Sequence, residues 1–284
     1  MSIAIIGLGL IGGSLGLALK RSTPAGLDTV GYAPHPETVA LAQRLGAVSR
    51  TAASPEEAVQ GAAVVILSTP VLAIKGLLER IAPHLPPGCL VTDTASTKVQ
   101  VMAWAQEYLP AGVDFVGGHP MAGKESRGIQ VAEPGLFQGC CYCLTPAPHT
   151  SPQAVQKMVK LVEQIGARPC FIEAAEHDYV VAAISHLPAL LSSALVWLTT
   201  QDPSWPKMAQ LAAGGYRDLS RLASGDPRMM RDICLTNRDS IASWIDRFIQ
   251  GLGQFKDWLA QDEALEAALS RAKEARDSWL KGRG

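Results

Sequence analysis

Three glycines near the start of the chain have the spacing of a turn that binds phosphate groups. In G-x-G-x-x-G the first glycine permits a tight turn, the second lets the backbone approach a pyrophosphate, and the third lets a helix pack on a strand. An apolar, β-branched run at 2–6 precedes the glycines, and the pattern at 14–20 predicts a helix. The N-terminus of that helix offers unpaired N–H groups and a partial positive charge. We therefore predict a dinucleotide site whose residues here are Gly7, Gly9, Leu10, Ile11 and Gly12.

A histidine in a favourable position for proton transfer follows a second pair of glycines. The stretch FVGGHPM predicts a strand that ends in Gly117 and Gly118 and is followed by His119. A His-Pro pair after a strand is more often a turn than a catalytic group, but this histidine is predicted to lie opposite the nucleotide turn. Because imidazole titrates near neutrality, His119 is suited to act as a general base.

Two arginines in the stretch GGYRDLSR are four residues apart and therefore share one helical face. One interpretation of Arg217 and Arg221 is a clamp for a carboxylate, which matches the geometry of the guanidinium group. The alternative is a solvated face in which they pair with Asp218 or Asp226. The sequence leaves both interpretations open.

The predicted elements place the candidate groups at one edge of a sheet. Short apolar strands are predicted at 28–32, 63–67 and 90–93, each followed by a helix, and two further strands at 142–145 and 168–172. This alternation favours a parallel, doubly wound sheet of the Rossmann type, an α/β fold. Ligands of such sheets bind beyond the carboxyl ends of the strands, where this chain has Ser68, Thr69, Pro70, Ser96 and His119.

The residues after two of these strands predict a helix cap and the choice of nucleotide. The Ser and Thr residues of 94–97 are suited to cap the helix that reaches Tyr108. At the end of the second strand, where an Asp or Glu would bind the ribose 2′-hydroxyl of NAD, the chain has Ala33 and then His35. Nothing there repels a 2′-phosphate, and His35 can donate a hydrogen bond to one. We therefore expect NADP as cofactor, with NAD also accepted.

From about residue 173 the pattern is helical throughout. The stretch 180–198 is almost wholly apolar and long enough to cross a membrane, but His186, Pro188 and several serines interrupt it. We expect a helix buried in a helical domain or in a dimer. The sequence thus predicts a dinucleotide-binding domain at 1–172 and a helical substrate and dimerisation domain at 173–284.

Composition narrows the classes of protein and partner. With 284 residues, 48% of them hydrophobic and a formal net charge of −1, the chain has a sizeable core and no basic surface for nucleic acid or an anionic membrane. Lys20 and Arg21 follow the first apolar run rather than precede it, which disfavours a signal peptide. Six cysteines without an export signal indicate a reduced, cytoplasmic setting. Cys140 and Cys143 are spaced as in a zinc site, but no second pair completes one, so we expect a strand and no metal.

Taken together, the motifs GLGLIGGS, TDTASTK, GGHPMAGKESRG, HDYVVAAISHLP and GGYRDLSRLA resemble those of the prephenate and arogenate dehydrogenases. The resemblance extends over nearly the whole chain, from Ile3 to at least Trp258. It implies a Rossmann-type domain, a helical domain through which two chains dimerise, and the synthesis of tyrosine or its keto-acid precursor. The substrate would be prephenate or arogenate.

The resemblance also assigns roles to individual residues. It implies that His119 is the catalytic histidine and that Ser96 hydrogen-bonds the same substrate hydroxyl. NAD-using relatives tend to carry an Asp where this chain has Ala33, which leaves the choice of nucleotide open. The resemblance further implies that Arg217 binds a substrate carboxylate and that His186 lines the pocket. Lys124 and Glu125 would border the entrance of the pocket.

Two other functions compete with this interpretation. A β-hydroxyacid-type dehydrogenase shares the two-domain plan but needs a catalytic lysine in the helical domain, and the helix from Glu176 carries His186 instead. A nucleotide-binding redox sensor without turnover would not need His119, Ser96 and Arg217 in matching places.

Overall fold

The computed structural model describes residues 2–22, 27–124 and 126–282. Its centre is one eight-stranded sheet with the strand order β3-β2-β1-β4-β5-β6-β7-β8. Strands β1 to β6 are parallel to their neighbours, β7 is antiparallel to β6, and β8 is parallel to β7. In chain order the strands are β1 Ser2–Ile6, β2 Asp28–Tyr32, β3 Arg50–Thr51, β4 Val64–Leu67, β5 Leu90–Asp93, β6 Asp114–Pro120, β7 Cys141–Pro146 and β8 Arg168–Phe171.

Six helices accompany these strands, and together they cover both faces of the sheet. They are α1 Leu10–Ser22, α2 Pro36–Arg44, α3 Pro55–Val59, α4 Val71–Ile81, α5 Val99–Tyr108 and α6 Pro152–Gln164. Successive side chains of a strand point to opposite faces, so β1 contributes to two cores. Ile3 and Ile5 pack with residues of α1 and α6, while Ala4 and Ile6 pack with residues of α4 and α5. This covering explains why the central strands are continuous apolar runs.

The predicted doubly wound, Rossmann-type sheet is confirmed, but the prediction of a wholly parallel sheet is wrong at β7. The connection between β6 and β7 contains only a short 3-10 turn, Ile129–Val131, among its described residues. A parallel partner needs a longer crossover, usually through a helix, whereas a strand that simply returns is antiparallel. Apolar patterning gives no information about strand direction, so the sequence did not reveal this reversal.

The second half of the described chain is helical. A continuous helical stretch from Ala174 to Thr200 contains a π-helical turn at Ala182–His186 and is long and apolar enough, with a mean hydropathy of 1.7, to cross a membrane. Such a helix also occurs in soluble proteins, and its burial in a dimer stays a prediction. The helices are α7 Ala174–Val181, α8 Leu187–Thr200, α9 Trp205–Leu211, α10 Gly214–Ser220, α11 Pro227–Thr236, α12 Arg238–Trp258 and α13 Asp262–Lys281.

The chain divides into two compact units, Met1–Arg238 and Asp239–Gly284. The first unit holds the sheet together with the helices as far as α11, because α7 packs against α5 and α11 against α4. The second holds most of α12 and all of α13. The domain border at 172/173 that the sequence suggests stays a prediction.

The cysteines of β7 and β8 lie close together in the sheet. The strand predicted over the CCYCL stretch is present as β7, and Cys143 is buried within it. The Sγ atoms of Cys141 in β7 and Cys170 in β8 are in contact, and the reduced setting stays a prediction. The free cysteines among the described residues are Cys89, Cys140, Cys143 and Cys234.

Candidate active site

The glycine turn between β1 and α1 has the shape that a pyrophosphate requires. Gly7 has a φ of +100°, and a side chain there would collide with the carbonyl oxygen of Ser68. A side chain at Gly12 would collide with the carbonyl of Gly7, so helix and turn are in close contact. At Gly9, by contrast, an added Cβ meets no atom within 4 Å. The open face at Gly9, next to the N-terminus of α1 at Leu10, fits a bound phosphate.

Two other predicted cofactor segments follow β2 and β4. Thr69 lies next to the Gly7 turn, and its buried hydroxyl has no hydrogen-bond partner among the described residues. An unpaired buried hydroxyl is costly, so a ligand that bonds it is favoured. After β2, Ala33 is only 8% exposed, whereas His35 is exposed and lies 3.7 Å from a carboxylate oxygen of Glu37.

His119 is the penultimate residue of β6 and is partly buried. Its Nδ1 lies 2.9 Å from Nε2 of His177, which belongs to α7, and the two rings are at 68° to one another. No described residue is hydrogen-bonded to the other ring nitrogen, Nε2. His119 is therefore anchored through one nitrogen to the helical half of the chain, and the other nitrogen is available for a substrate.

Asp178 continues this row of side chains and also fixes the start of α5. Its Oδ1 lies 2.8 Å from Nδ1 of His177 and accepts the N–H of Lys98 at 2.7 Å, while its Oδ2 accepts the N–H of Val99 at 2.9 Å. The predicted cap of α5 by a residue of 94–97 is wrong, because the carboxylate of α7 takes that place. A carboxylate at a helix N-terminus is favourable both as acceptor and as charge.

A second buried carboxylate organises the two backbone segments that carry His119 and Ser96. Asp93, at the end of β5, accepts the N–H of Gly118 at 3.0 Å and the N–H of Ala95 at 2.8 Å, and it forms an ion pair with Lys98. Gly118 directly precedes His119, and Ala95 directly precedes Ser96. The carboxylate of Asp93 thus fixes the backbone next to both predicted catalytic residues.

His186, which the sequence assigned to the substrate pocket, is almost completely buried in the π-helical turn. The side-chain amide of Asn237 donates to its Nδ1 at 3.2 Å and to the carbonyl of Asp178 at 2.7 Å. A nitrogen that accepts carries no proton, so the proton of neutral His186 is on Nε2. That Nε2 is buried and has no partner among the described residues, so it is a donor available to a ligand.

Burial keeps both histidines neutral. It lowers the pKa of His119 well below the usual value, and the nearby positive charge of Lys98 acts in the same direction. Burial likewise lowers the pKa of His186 to about 4, partly opposed by Asp178. At neutral pH, His119 is therefore an uncharged imidazole that can accept a proton.

The remaining predicted substrate residues are not brought to His119 by any described contact. The side chain of Arg217 is 84% exposed, and its described ion pair is with the adjacent Asp218, at 3.9 Å. This geometry matches the solvated-face interpretation in the single chain. Lys124 pairs with Glu133 at 2.9 Å, and Glu125 lies outside the described residues.

Sequence reasoning missed four residues that complete this cluster: Asp93, Lys98, His177 and Asp178. A signal was present, since each is a charged or polar residue within or beside an apolar run. Such residues are rarely buried unless paired. Nothing local showed which of them meet.

Comparison with known proteins extends these observations. The profile described as "Prephenate dehydrogenase, nucleotide-binding domain" matches residues 15–171, and the one described as "Prephenate dehydrogenase, dimerization domain" matches residues 173–271. The chain is 37% identical to a prephenate dehydrogenase of Bacillus subtilis, over 97% of this chain and 75% of that one. Its fold is similar to that of Synechocystis arogenate dehydrogenase, with a TM-score of 0.84, 31% identity, and coverage of 98% and 100% of the two chains. It is also similar to an A. aeolicus prephenate dehydrogenase in complex with hydroxyphenyl propionate and NAD+, with a TM-score of 0.91, 29% identity, and coverage of 98% of each chain.

Proposed function

Because this chain belongs to the prephenate dehydrogenase family, we propose that its neutral His119 is the base in the oxidative decarboxylation of a cyclohexadienol. The protein is a nicotinamide-dependent dehydrogenase of prephenate or arogenate, and its product is 4-hydroxyphenylpyruvate or tyrosine. The observation that carries the proposal is the position of His119 at the sheet edge that also bears the glycine turn. Neither a β-hydroxyacid dehydrogenase nor a redox sensor without turnover accounts for the family relationship.

The residues of the site fit each part of this reaction. His119 accepts the proton of the hydroxyl on C4 of the ring, and Ser96 contributes a hydrogen bond to the same oxygen. A nicotinamide cofactor held at the glycine turn would supply the acceptor for the hydride of C4. Carbon dioxide leaves C1, and its bonding electrons make the ring an aromatic phenolate, to which His119 returns the proton. The stability of the aromatic ring drives the step. The protein therefore needs to orient the substrate and neutralise one developing charge, and we assign no metal to it.

The choice between prephenate and arogenate is proposed from the described carboxylates near His119. Arogenate carries an ammonium group where prephenate has a keto oxygen, and an ammonium requires a carboxylate partner. Among the described residues, the carboxylates near His119 are Asp93 and Asp178, and each already binds three donors. Glu125 lies outside the described residues. The unpartnered Nε2–H of His186 needs an acceptor, which a carboxylate oxygen of either substrate or the keto oxygen of prephenate supplies. We therefore propose prephenate as the better substrate.

The nucleotide is proposed to be NADP at least as readily as NAD. Ala33 provides no carboxylate to bind a ribose 2′-hydroxyl or repel a 2′-phosphate, and His35 next to it is exposed. The site of Thr69 and Gly9 serves either nucleotide, because both share the pyrophosphate.

A second copy of the chain is proposed to cover the apolar surface of the helical stretch. Ile184, Trp197 and Leu198 are 63%, 65% and 62% exposed in the single chain. Large apolar side chains so exposed mark an interaction surface, and the matching family profile describes a dimerisation domain. A molar mass by light scattering that equals one chain at micromolar concentration would contradict the dimer.

Steady-state formation of NADH and NADPH with prephenate and with arogenate tests the function, the substrate and the nucleotide together. We expect the highest kcat/KM for prephenate with NADP. The variant His119→Asn is the control for non-enzymatic loss of substrate, because it retains the pocket without the base. Absence of turnover with both substrates and both nucleotides would refute the proposal.

A further inference from the structure

Three buried or partly buried side chains, His119, His177 and Asp178, form a row whose hydrogen bonds fix where protons lie. A neutral histidine has one protonated nitrogen and one that accepts, and its partners decide which is which. The row is continuous, with distances of 2.9 Å from His119 Nδ1 to His177 Nε2 and 2.8 Å from His177 Nδ1 to Asp178 Oδ1.

The proton count starts at Asp178, which is 2% exposed. Both of its oxygens accept backbone N–H groups at the start of α5, so it is bound as a carboxylate and can only accept. Nδ1 of His177 must therefore carry a proton. His177 is 0% exposed, and a second proton on it would place a further positive charge near Lys98 inside the protein.

A neutral His177 with its proton on Nδ1 presents a lone pair at Nε2. His119 must then donate its Nδ1–H to that lone pair, which leaves Nε2 of His119 without a proton. We propose that His177 and Asp178 are positioning residues that hold His119 in this tautomer, so that Nε2 is the atom that accepts the substrate proton. That the accepted proton comes from a substrate hydroxyl rests on the proposed function, whereas the tautomer of His119 does not.

The charges around His119 are consistent with this role. The groups that act on it are Lys98, in the turn after β5, and His177 and His186 from the helical segment. Asp93 pairs with Lys98, and Asp178 is hydrogen-bonded to His177. Asp178 is the carboxylate at the end of this row, and its negative charge stabilises the imidazolium that forms at His119. His177 transmits this stabilisation through its hydrogen bonds, as the middle group of a catalytic triad does.

Nitrogen-15 NMR of histidine-labelled protein tests the tautomer directly. The chain has six histidines, and the resonances of His119 are assigned by their loss in His119→Asn. In the wild type at neutral pH we expect a protonated Nδ1 and an unprotonated Nε2 in His119. A wild-type spectrum with the proton on Nε2 of His119 would overturn the inference, even in a protein that turns over prephenate.

Substitutions at position 177 test whether the partner matters for rate. His177→Phe retains a ring but cannot accept a hydrogen bond, so His119 should lose its tautomer preference. We expect kcat to fall by about 10²-fold or more. The upper bound is the ~10⁴-fold loss seen in a triad whose histidine has the wrong tautomer. His177→Gln offers a carbonyl oxygen to Nδ1–H and should restore most of the rate. A merely structural residue would not show this rescue with an unchanged KM for the nucleotide.

The control is His84→Phe, a change at an exposed histidine outside the site, which should leave the His119 resonances and kcat unchanged. If His177→Phe folds and keeps wild-type kcat and the wild-type His119 tautomer, the inference fails. If it does not fold, the wild-type spectrum still decides. The expected spectrum without turnover of either substrate would refute the proposed function and leave the tautomer standing.

Discussion

Replacing Lys98 by methionine removes one partner of an ion pair that lies wholly inside the protein. Lys98 and Asp93 are both 0% exposed, and their charged groups are in contact. Without the ammonium, Asp93 is left as a charge in an interior that solvates it poorly. Breaking such a pair typically costs about 3–5 kcal/mol. Since 1 kcal/mol corresponds to about 2–4 °C for a chain of this size, we expect Tm to fall by about 6–20 °C.

The same substitution changes the pH dependence of catalysis. Burial is the larger cause of the low pKa of His119, and the charge of Lys98 is the next. Removing this charge raises the pKa of His119, so protonation disables the base at a higher pH. The acid limb of the kcat/KM profile should therefore move to higher pH in Lys98→Met, which steady-state assays across pH can measure.

The matched control removes both charges at once. In the double variant Asp93→Asn with Lys98→Met, neither charge of this pair remains, and asparagine can still accept the Gly118 N–H. Urea unfolding followed by circular dichroism should therefore show the double variant to be more stable than Lys98→Met alone. A Lys98→Met protein within about 1 kcal/mol of the wild type, with an unmoved acid limb, would refute the buried pair and its effect on His119.

Three further substitutions address the site residues. His119→Asn should bind nucleotide normally and lose about 10²–10⁴-fold in kcat, the usual contribution of a general base; retention of more than about a tenth of kcat would remove it from the mechanism. Arg217→Ala should raise the substrate KM by the loss of a charge-assisted contact worth about 1.5–3 kcal/mol if Arg217 is a carboxylate clamp. Arg221→Ala is its matched comparison, and an unchanged KM in Arg217→Ala would support the solvated face that the single chain presents. Ala33→Asp should shift the ratio of kcat/KM towards NAD by about 5–30-fold, since the new anion would face the 2′-phosphate. A wild type that already prefers NAD tenfold would show that another residue binds the ribose.

Much of the fold followed from the sequence because its cause is local. The strands β2 and β5 have the predicted bounds, since an apolar run in a sheet covered on both faces contrasts with the polar residues that flank it. The turn at Gly7, Gly9 and Gly12 was equally predictable, because backbone conformation and close packing require glycine there. These features depend on residues within about one turn or strand of each other.

Only the tertiary structure decided which side chains from distant parts of the chain become partners. His119 and His177 are 58 residues apart in sequence, and Lys98 and Asp178 are 80 apart. A periodic pattern shows that a polar residue lies in an apolar run but does not show which other buried group satisfies it. The antiparallel direction of β7 was likewise decided only by the tertiary structure. The sequence therefore determined which residues are available for catalysis, and the packing of α7 against α5 decided which of them act together, because a buried polar group must find its partner wherever the fold brings one.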